Sequence, residues 1–320
     1  RLYKTGARTF GAGFRSKMKC VKCGAKSIIN LSYGGGELCR NCFTRLFEKR
    51  VKKTIRTNKL LAGDDRVLVA LSGGKDSAVA LSIISSILGR NPKCEVAAIT
   101  VDEGISGCSR NRLEVSERLS RMFGVEHHVF TFKDFFGFTL DEFLENPGVE
   151  SNPCTYCGVL RRRLINTMAR ELDFTKVATG HNLDDEVQAA LMNFCRGEVE
   201  RIARLGGKVG VTEIAGFVPR IKPLREVLEE EVLLYARLKK LPLASGICPY
   251  SRDAYRKSMK RVVDELDARH GGTKYQMLRS VDKLSEYLKS CVPKDGVGVC
   301  GVCGEPCSGK KCKVCLILKK

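Results

Sequence analysis

Two groups of residues in this 320-residue chain have types and spacing that could do chemistry. The first is Ser72-Gly73-Gly74-Lys75-Asp76-Ser77, a small polar loop between the apolar run 67–71 and a stretch with Val79, Ile83, Ile84, Ile87 and Leu88 at helical spacing. Such a loop presents backbone N–H groups at a helix N-terminus, where the dipole favours a phosphate. Ser72 and Ser77 add hydroxyls, and Lys75 adds a cation. The spacing fits neither a Walker A loop, which needs a longer gap before its Gly-Lys, nor the GxGxxG turn.

The second group is the set of sixteen cysteines. Cys20-x2-Cys23 and Cys39-x2-Cys42 stand 15 residues apart with glycines between them, a zinc-ribbon spacing that brings four thiolates to one tetrahedral ion. Cys300-x2-Cys303 and Cys312-x2-Cys315 form a second, more compact set, in which Cys307 is a spare thiol that could replace one ligand. Cys154-x2-Cys157 differs, because no second pair stands nearby, and only Cys195, Cys248 and Cys291 come before the C-terminal set. Cys248, in Ser245-Gly246-Ile247-Cys248-Pro249-Tyr250, sits in a glycine and proline loop of the sort that surrounds an exposed ligand. Cys195, expected in mid-helix, and Cys291, at a helix end, read as packing residues.

The elements that would position these residues read as α/β. The run 67–71 is short, valine-rich and not alternating, as in a parallel strand buried on both faces. Further strands are expected at 95–101, 126–132, 176–180 and 219–224, with helices at 113–123, after Gly158, and at 225–240. The second strand ends at Asp102-Glu103-Gly104-Ile105, where a nucleotide base would lie. The fourth ends in Gly180-His181-Asn182-Leu183-Asp184-Asp185-Glu186. Three acids at a helix N-terminus could be caps, but at the end of a central strand the expectation is a magnesium ligand. Arg161, Arg162 and Arg163, expected in the first turns of the helix after Gly158, oppose its dipole and point to an anion there. His127 and His128 read as strand residues without metal-ligand spacing.

Net charge is +20, with five of those charges in residues 1–17, which are read as an added leader and set aside. The remaining excess points to a polyanion, nucleic acid first. Basic stretches fit that partner at 43–59, a solvated linker or a phosphate-touching surface, and at 251–290, where Arg252, Arg256, Lys257, Lys260 and Arg261 lie near Tyr250 and Tyr255. No apolar run approaches the roughly 18 residues of a membrane helix, no secretion signal is read, and a cytoplasmic protein is expected.

The Ser-Gly-Gly-Lys-Asp-Ser string resembles the PP-loop of ATP pyrophosphatases. Together with both ribbons, the three central cysteines and Gly-His-Asn-Leu-Asp-Asp-Glu, the chain after Met18 is similar to the tRNA 2-thiolation enzymes of the TtuA and cytosolic tRNA thiouridylase family. The resemblance implies a Rossmann-like, five-stranded parallel sheet. The layout expected is an N-terminal zinc ribbon at 18–44, a basic linker helix at 45–62, a PP-loop ATPase domain at 63–250, a basic helical region at 251–292 and a C-terminal zinc ribbon at 293–320. It implies ATP and Mg2+ held by Ala70, Ser72, Gly73, Gly74, Lys75, Asp76, Ser77, Thr100, Ile105, Arg161, Gly180 and Asp185, and a [4Fe-4S] cluster on Cys154, Cys157 and Cys248. One iron would lack a protein ligand and could hold sulfide. ATP would adenylate the C2 oxygen of a tRNA uridine, with Lys75 stabilising phosphate charge and Asp185 acting through magnesium or as a base; sulfur would then displace AMP. Arg161 stands where the family has a lysine, which keeps the charge and removes a titratable amine. Two Zn2+ sites, a homodimer, and a sulfide or ubiquitin-like thiocarboxylate donor belong to the same expectation. Uridine 34 is favoured over 54, because sixteen cysteines and six methionines are many oxidisable side chains for a thermophile. A persulfide relay without a cluster, another PP-loop ligase, and an RNA-binding zinc-ribbon protein with an inactive ATP site are the competing readings.

Overall fold

The structure is a computed structural model that describes residues 18–31, 33, 35–146, 149, 152–206, 208–209, 216–246, 248–251, 255–291, 298–307 and 309–319. The leader read at 1–17 and Arg252 lie outside the described residues. The chain divides into two compact units, one ending at Leu46 and one starting at Phe47.

In the first unit, β1 (Ile29–Leu31) and β2 (Gly36–Leu38) pair antiparallel with Ile29 opposite Leu38. The Cys20–Cys23 turn closes through Gly24 N–H donating to the Cys20 carbonyl at 2.8 Å, with Gly24 at φ +72°, a conformation that strains any side chain. α1 (Arg40–Thr57) begins directly after Cys39 and places Cys42 in its first turn.

From Phe47 onward α1 is part of the second unit, where Phe47, Val51 and Ile55 are buried at four-residue spacing and Lys49, Lys52, Lys53 and Arg56 face solvent. The basic stretch is thus the outer face of a packed amphipathic helix. The elements that follow are β3 (Arg66–Leu71), α2 (Lys75–Leu88), β4 (Glu95–Asp102), α3 (Ser109–Phe123), β5 (Glu126–Thr131), α4 (Phe132–Phe136) and α5 (Leu140–Leu144). Next come α6 (Pro153–Glu171), β6 (Lys176–Ala178), α7 (Leu183–Cys195), α8 (Val199–Ala203), β7 (Lys208–Val209), β8 (Arg220–Ile221) and α9 (Glu229–Leu238). The last are α10 (Tyr255–Arg269), α11 (Thr273–Cys291), β9 (Gly298–Val299), β10 (Pro306–Cys307) and α12 (Lys313–Ile317).

The sheet order is β5-β4-β3-β6-β8-β7. The first five strands run parallel, as the sequence implied, and β7 adds a short antiparallel edge on β8. Both faces of β3 are buried: Leu68 joins a core with Ile99, Leu160, Leu164 and Met168, and the alternate Val67, Val69 and Leu71 are equally covered. α6 therefore roofs one face, and α2 packs on β3 and β4.

Three local expectations change. Cys154 and Cys157 are not a loop before a helix; Pro153 starts α6, with Asn152 accepting the Cys154 N–H as N-cap, so both thiols sit in the first turns and Arg161–Arg163 come well inside the helix. Cys195 ends α7 and is exposed, where burial had been expected. The helix expected from 225 begins at Glu229, because residues 222–228 first form turns that bury Leu224, Val227 and Leu228.

Candidate active site beside a three-cysteine cluster

A cavity of about 340 Å³ opens at the carboxyl ends of β3, β4 and β6. Its apolar floor is Ala70, Ile99, Val101, Val177 and Ile165, with Thr100 among them. Ser72, Asp76 and Ser77 form one side, Gly180, His181 and Asp185 another, and Glu103, Arg112, Arg161, Arg162, Arg220 and Arg256 ring the rest. The placement is that expected of a nucleotide site in an open parallel sheet.

The loop geometry follows from its sequence. Ser77 Oγ donates to the Gly74 carbonyl at 3.0 Å and accepts from the Ser72 N–H at 3.2 Å, so the hydroxyls lock the turn. Gly180 faces this loop so closely that a Cβ would stand 2.5 Å from the Asp76 carbonyl carbon; only glycine fits. Gly73 and Gly74 make the turn itself. Lys75 is turned from the cavity, its ammonium 2.9 Å from Asp76 Oδ2 and 2.9 Å from Glu229 Oε1. Ile105 also lies outside the cavity, 3 % exposed in the apolar core, since Gly104 at φ +69° turns the chain inward.

The acidic string at the start of α7 splits by helical geometry. Asp184 is buried on Lys274 Nζ at 2.5 Å and the Glu229 N–H at 2.7 Å, and Glu186 is buried on Lys222 Nζ at 2.6 Å. Of the three acids only Asp185 lines the cavity. Asp185 also closes a capping box with Asn182, and its Oδ1 accepts from Arg256 at 2.9 Å. Asn182 Nδ2 in turn donates to Asp76 Oδ1 at 2.9 Å, linking the loop to α7. Burial raises both the Asp76 and Asp185 carboxyls, and each is pushed further by a neighbouring carboxylate.

Sequence reasoning missed two organising acids. Glu103, 3 % exposed, holds Arg161 at 2.9 Å and Arg112 at 3.6 Å. Glu229 bridges Lys75 and Lys260, whose bonds overcome its burial and hold it at about 2. The signal was thin, for each is one acid among many. Arg256 and Lys260, read as part of a nucleic-acid surface, pair with Asp185 and Glu229 at the site. His127 is a strand residue, its Nε2 2.8 Å from Thr100 Oγ1.

The central cysteines gather beside this cavity. Cys157 Sγ lies 4.0 Å from Glu103 Oε1 on the cavity wall, and Cys154 Sγ lies 3.4 Å from the Tyr250 carbonyl, two residues past Cys248. Burial pushes the Cys157 thiol up to about 11, opposed by Arg161, with Glu103, Cys248 and Cys154 adding to the rise. Cys154 is exposed and Cys157 and Cys248 are half-buried. Cys108, buried at the start of α3, also feels Cys248 and had drawn no attention in the sequence. The two outer quartets are different objects. The sulfurs of Cys20, Cys23, Cys39 and Cys42 lie within 4.8 Å of one another, as do those of Cys300, Cys303, Cys312 and Cys315. Cys307 stands apart, bonded to the Gly309 carbonyl at 2.8 Å.

Residues 43–262 match the family of PP-loop domains. The tRNA 2-thiolation protein NcsA of Haloferax volcanii is 35 % identical over 316 residues, covering 94 % of this chain and 98 % of that one. This chain belongs to the PP-loop tRNA 2-thiolation family. Two further relatives bracket it. The tRNA-5-methyluridine(54) 2-sulfurtransferase of Pyrococcus horikoshii is 35 % identical over 93 % of both chains. The U34-tRNA thiolase NcsA of Methanococcus maripaludis, solved with its [4Fe-4S] cluster, superposes with a TM-score of 0.83 at 34 % identity over 95 % of this chain and 96 % of that one. The cavity lies at the loop that names this family, Ser72–Ser77, and the cysteine trio is its neighbour.

Proposed function

We propose that this protein is an ATP-dependent tRNA sulfurtransferase that converts a tRNA uridine to 2-thiouridine in the cytoplasm. One observation carries the reading: Glu103 joins the two halves of the chemistry, since it lines the nucleotide cavity, holds Arg161 and lies 4.0 Å from the Cys157 thiol. A base activated in the cavity is then beside the thiols.

The uridine C2 oxygen attacks the α-phosphorus of ATP and pyrophosphate leaves. A sulfur nucleophile then adds at C2, the C2–O bond breaks and AMP departs. The N–H groups of Ser72–Ser77 at the start of α2 hold phosphate, with Arg161 adding positive charge over the cavity. Asp185 and Asp76 are two half-buried carboxyls converging on one cavity, a donor set suited to Mg2+. Lys75 fixes Asp76 and Glu229 in place. Cys154, Cys157 and Cys248 fit a [4Fe-4S] cluster: three thiols, one exposed and two half-buried, lie close enough to act on one another's charge, with Arg161 acting on Cys154 and Cys157. Bound there, the cluster would supply an iron free of protein ligands to carry sulfur. The outer quartets fit structural Zn2+, four thiolates each and no open position. Position 34 is the uridine we assign, a homodimer the assembly, and sulfide or a protein thiocarboxylate the donor.

The test is anaerobic incubation of the iron- and sulfide-reconstituted protein with ATP, Mg2+, sulfide and unmodified tRNA, followed by nucleoside mass spectrometry and mapping. 2-Thiouridine at position 34 with AMP release is expected. Thiolation at 54 would move the site, thiolation by iron-free protein would show that sulfur reaches C2 without the cluster, and AMP release without thiolation would make the protein a ligase of another kind.

A further inference from the structure

Most cations around the cavity have acidic partners: Arg112 and Arg161 share Glu103, and Arg256 holds Asp185. Two in the same wall do not. Arg162 on α6 and Arg220 on β8 both line the cavity, and among the described residues neither has a carboxylate within ion-pair distance. Arg220 Nη2 donates instead to the Arg162 carbonyl at 3.2 Å, which brings two like charges together. Burial and the Arg162 charge press Arg220 down to about 10, and Arg162 is lowered by burial and by Arg161 and Arg201.

The row continues outward. α12 of the C-terminal ribbon packs on α6, with Val314 and Leu318 against the core, and Glu305 anchors the ribbon to Arg163 at 2.9 Å and Arg170 at 2.6 Å. This docking sets Lys313 within the field of Arg162 and of Arg201, which is paired to Glu198 at 2.8 Å. Glu198 answers only part of this charge, and the crowding of Arg162 and Arg220, which have no carboxylate partner among the described residues, costs free energy that a bound polyanion relieves. A nucleotide in the cavity does not reach Arg201 or Lys313, since neither lines it; a chain of phosphates does.

We propose that Arg220, Arg162, Arg201 and Lys313 form the path of the RNA backbone into the cavity, with Arg162 and Arg220 on the phosphates flanking the modified nucleotide and the C-terminal ribbon supplying the outer end. This rests on the reading of tRNA as substrate and adds the cations that touch it.

The experiment measures binding of an unmodified tRNA transcript to the full-length, metal-loaded protein by fluorescence anisotropy across a potassium chloride series, beside dialysis with a non-hydrolysable ATP analogue. The Arg162→Ala/Arg220→Ala protein is expected to lose roughly tenfold or more in tRNA affinity. The slope of log K against log salt should flatten by about 0.7–0.9 per lost phosphate contact, and ATP affinity should fall by less than tRNA affinity does. Lys313→Glu should weaken tRNA binding at unchanged zinc content, and Arg162→Lys/Arg220→Lys should recover most of the affinity and slope. Parent protein that binds tRNA while the variants bind equally well, with the same slope, would overturn the path alone. ATP affinity falling as far as tRNA affinity would assign the arginines to the nucleotide and overturn it too. Parent protein that does not bind tRNA would overturn the substrate reading along with it.

Discussion

The same Cys-x2-Cys spacing is built in two ways in this molecule. At Cys20–Cys23 and Cys300–Cys303 it lies on a turn closed by a glycine at positive φ, Gly24 at +72° and Gly304 at +70°, and a second pair completes a four-sulfur cage within 4.8 Å. At Cys154–Cys157 it lies on the first turns of α6, behind a proline, and the third thiol comes from a loop about 90 residues on. Four sulfurs close each cage, as a structural ion needs; the trio offers three beside the cavity, the arrangement proposed above to do chemistry. Spacing alone does not separate these cases. What separates them is the partner: Cys39–Cys42 at the start of α1 and Cys312–Cys315 at the start of α12 complete the two cages, and among the described residues no second pair completes one around Cys154–Cys157.

The largest expected effect tests that contrast. Cys154→Ala, Cys157→Ala and Cys248→Ala should each reduce thiolation to background while ATP binding and the melting temperature change little; a variant with parental thiolation would break the comparison. Replacing Cys303 with serine should instead remove one zinc per chain and lower the melting temperature, because a structural site contributes its binding energy to folding. The adjacent acids sharpen it further. Asp184→Ala, which removes one of the two carboxylates on buried Lys274 and the acceptor of the Glu229 N–H, should cost roughly 1–3 kcal/mol in chemical denaturation. Asp185→Asn should leave stability within about 1 kcal/mol yet slow AMP formation by roughly a hundredfold or more. If the two variants behave alike, the cavity does not distinguish them. The smallest effect is in pH. Glu229 has a folded pKa of about 2, below the ordinary carboxyl value, so its bonds to Lys75 and Lys260 stabilise fully above about pH 4.5 and fade as pH falls towards 2. Carboxyl NMR should place its midpoint near 2; a midpoint at 4.5 or above would mean that neither lysine holds it.

Much of this was legible in the sequence. Buried valine-rich runs ending in Ser-Gly-Gly-Lys-Asp-Ser and Gly-His-Asn carry the parallel sheet and its phosphate loop in residue order, since both faces of each strand must be apolar and each turn needs its glycine. The quartets were legible because four close thiols leave few alternatives. What the sequence hid depends on which way a side chain turns. Lys75 looks like a phosphate cation but spends its charge on Asp76 and Glu229. Asp184 and Asp185 differ only by one helical step, which sends one into the fold and the other into the cavity. Glu103 owes its role to Arg112, nine positions on, and Arg161, on a different helix, a long-range convergence that no local pattern records. In the basic run at 251–290 the sequence did not show that Arg256 and Lys260 pair with Asp185 and Glu229, because charge along a helix does not say whether an acid waits opposite it.

The most direct test of the central claim is metal analysis of anaerobically prepared protein. Iron and zinc would be counted by mass spectrometry in the parent, in Cys157→Ser and in Cys42→Ser. The account predicts that Cys157→Ser loses its iron and keeps both zincs, while Cys42→Ser keeps its iron and loses one zinc. Iron retained in full by Cys157→Ser would contradict it.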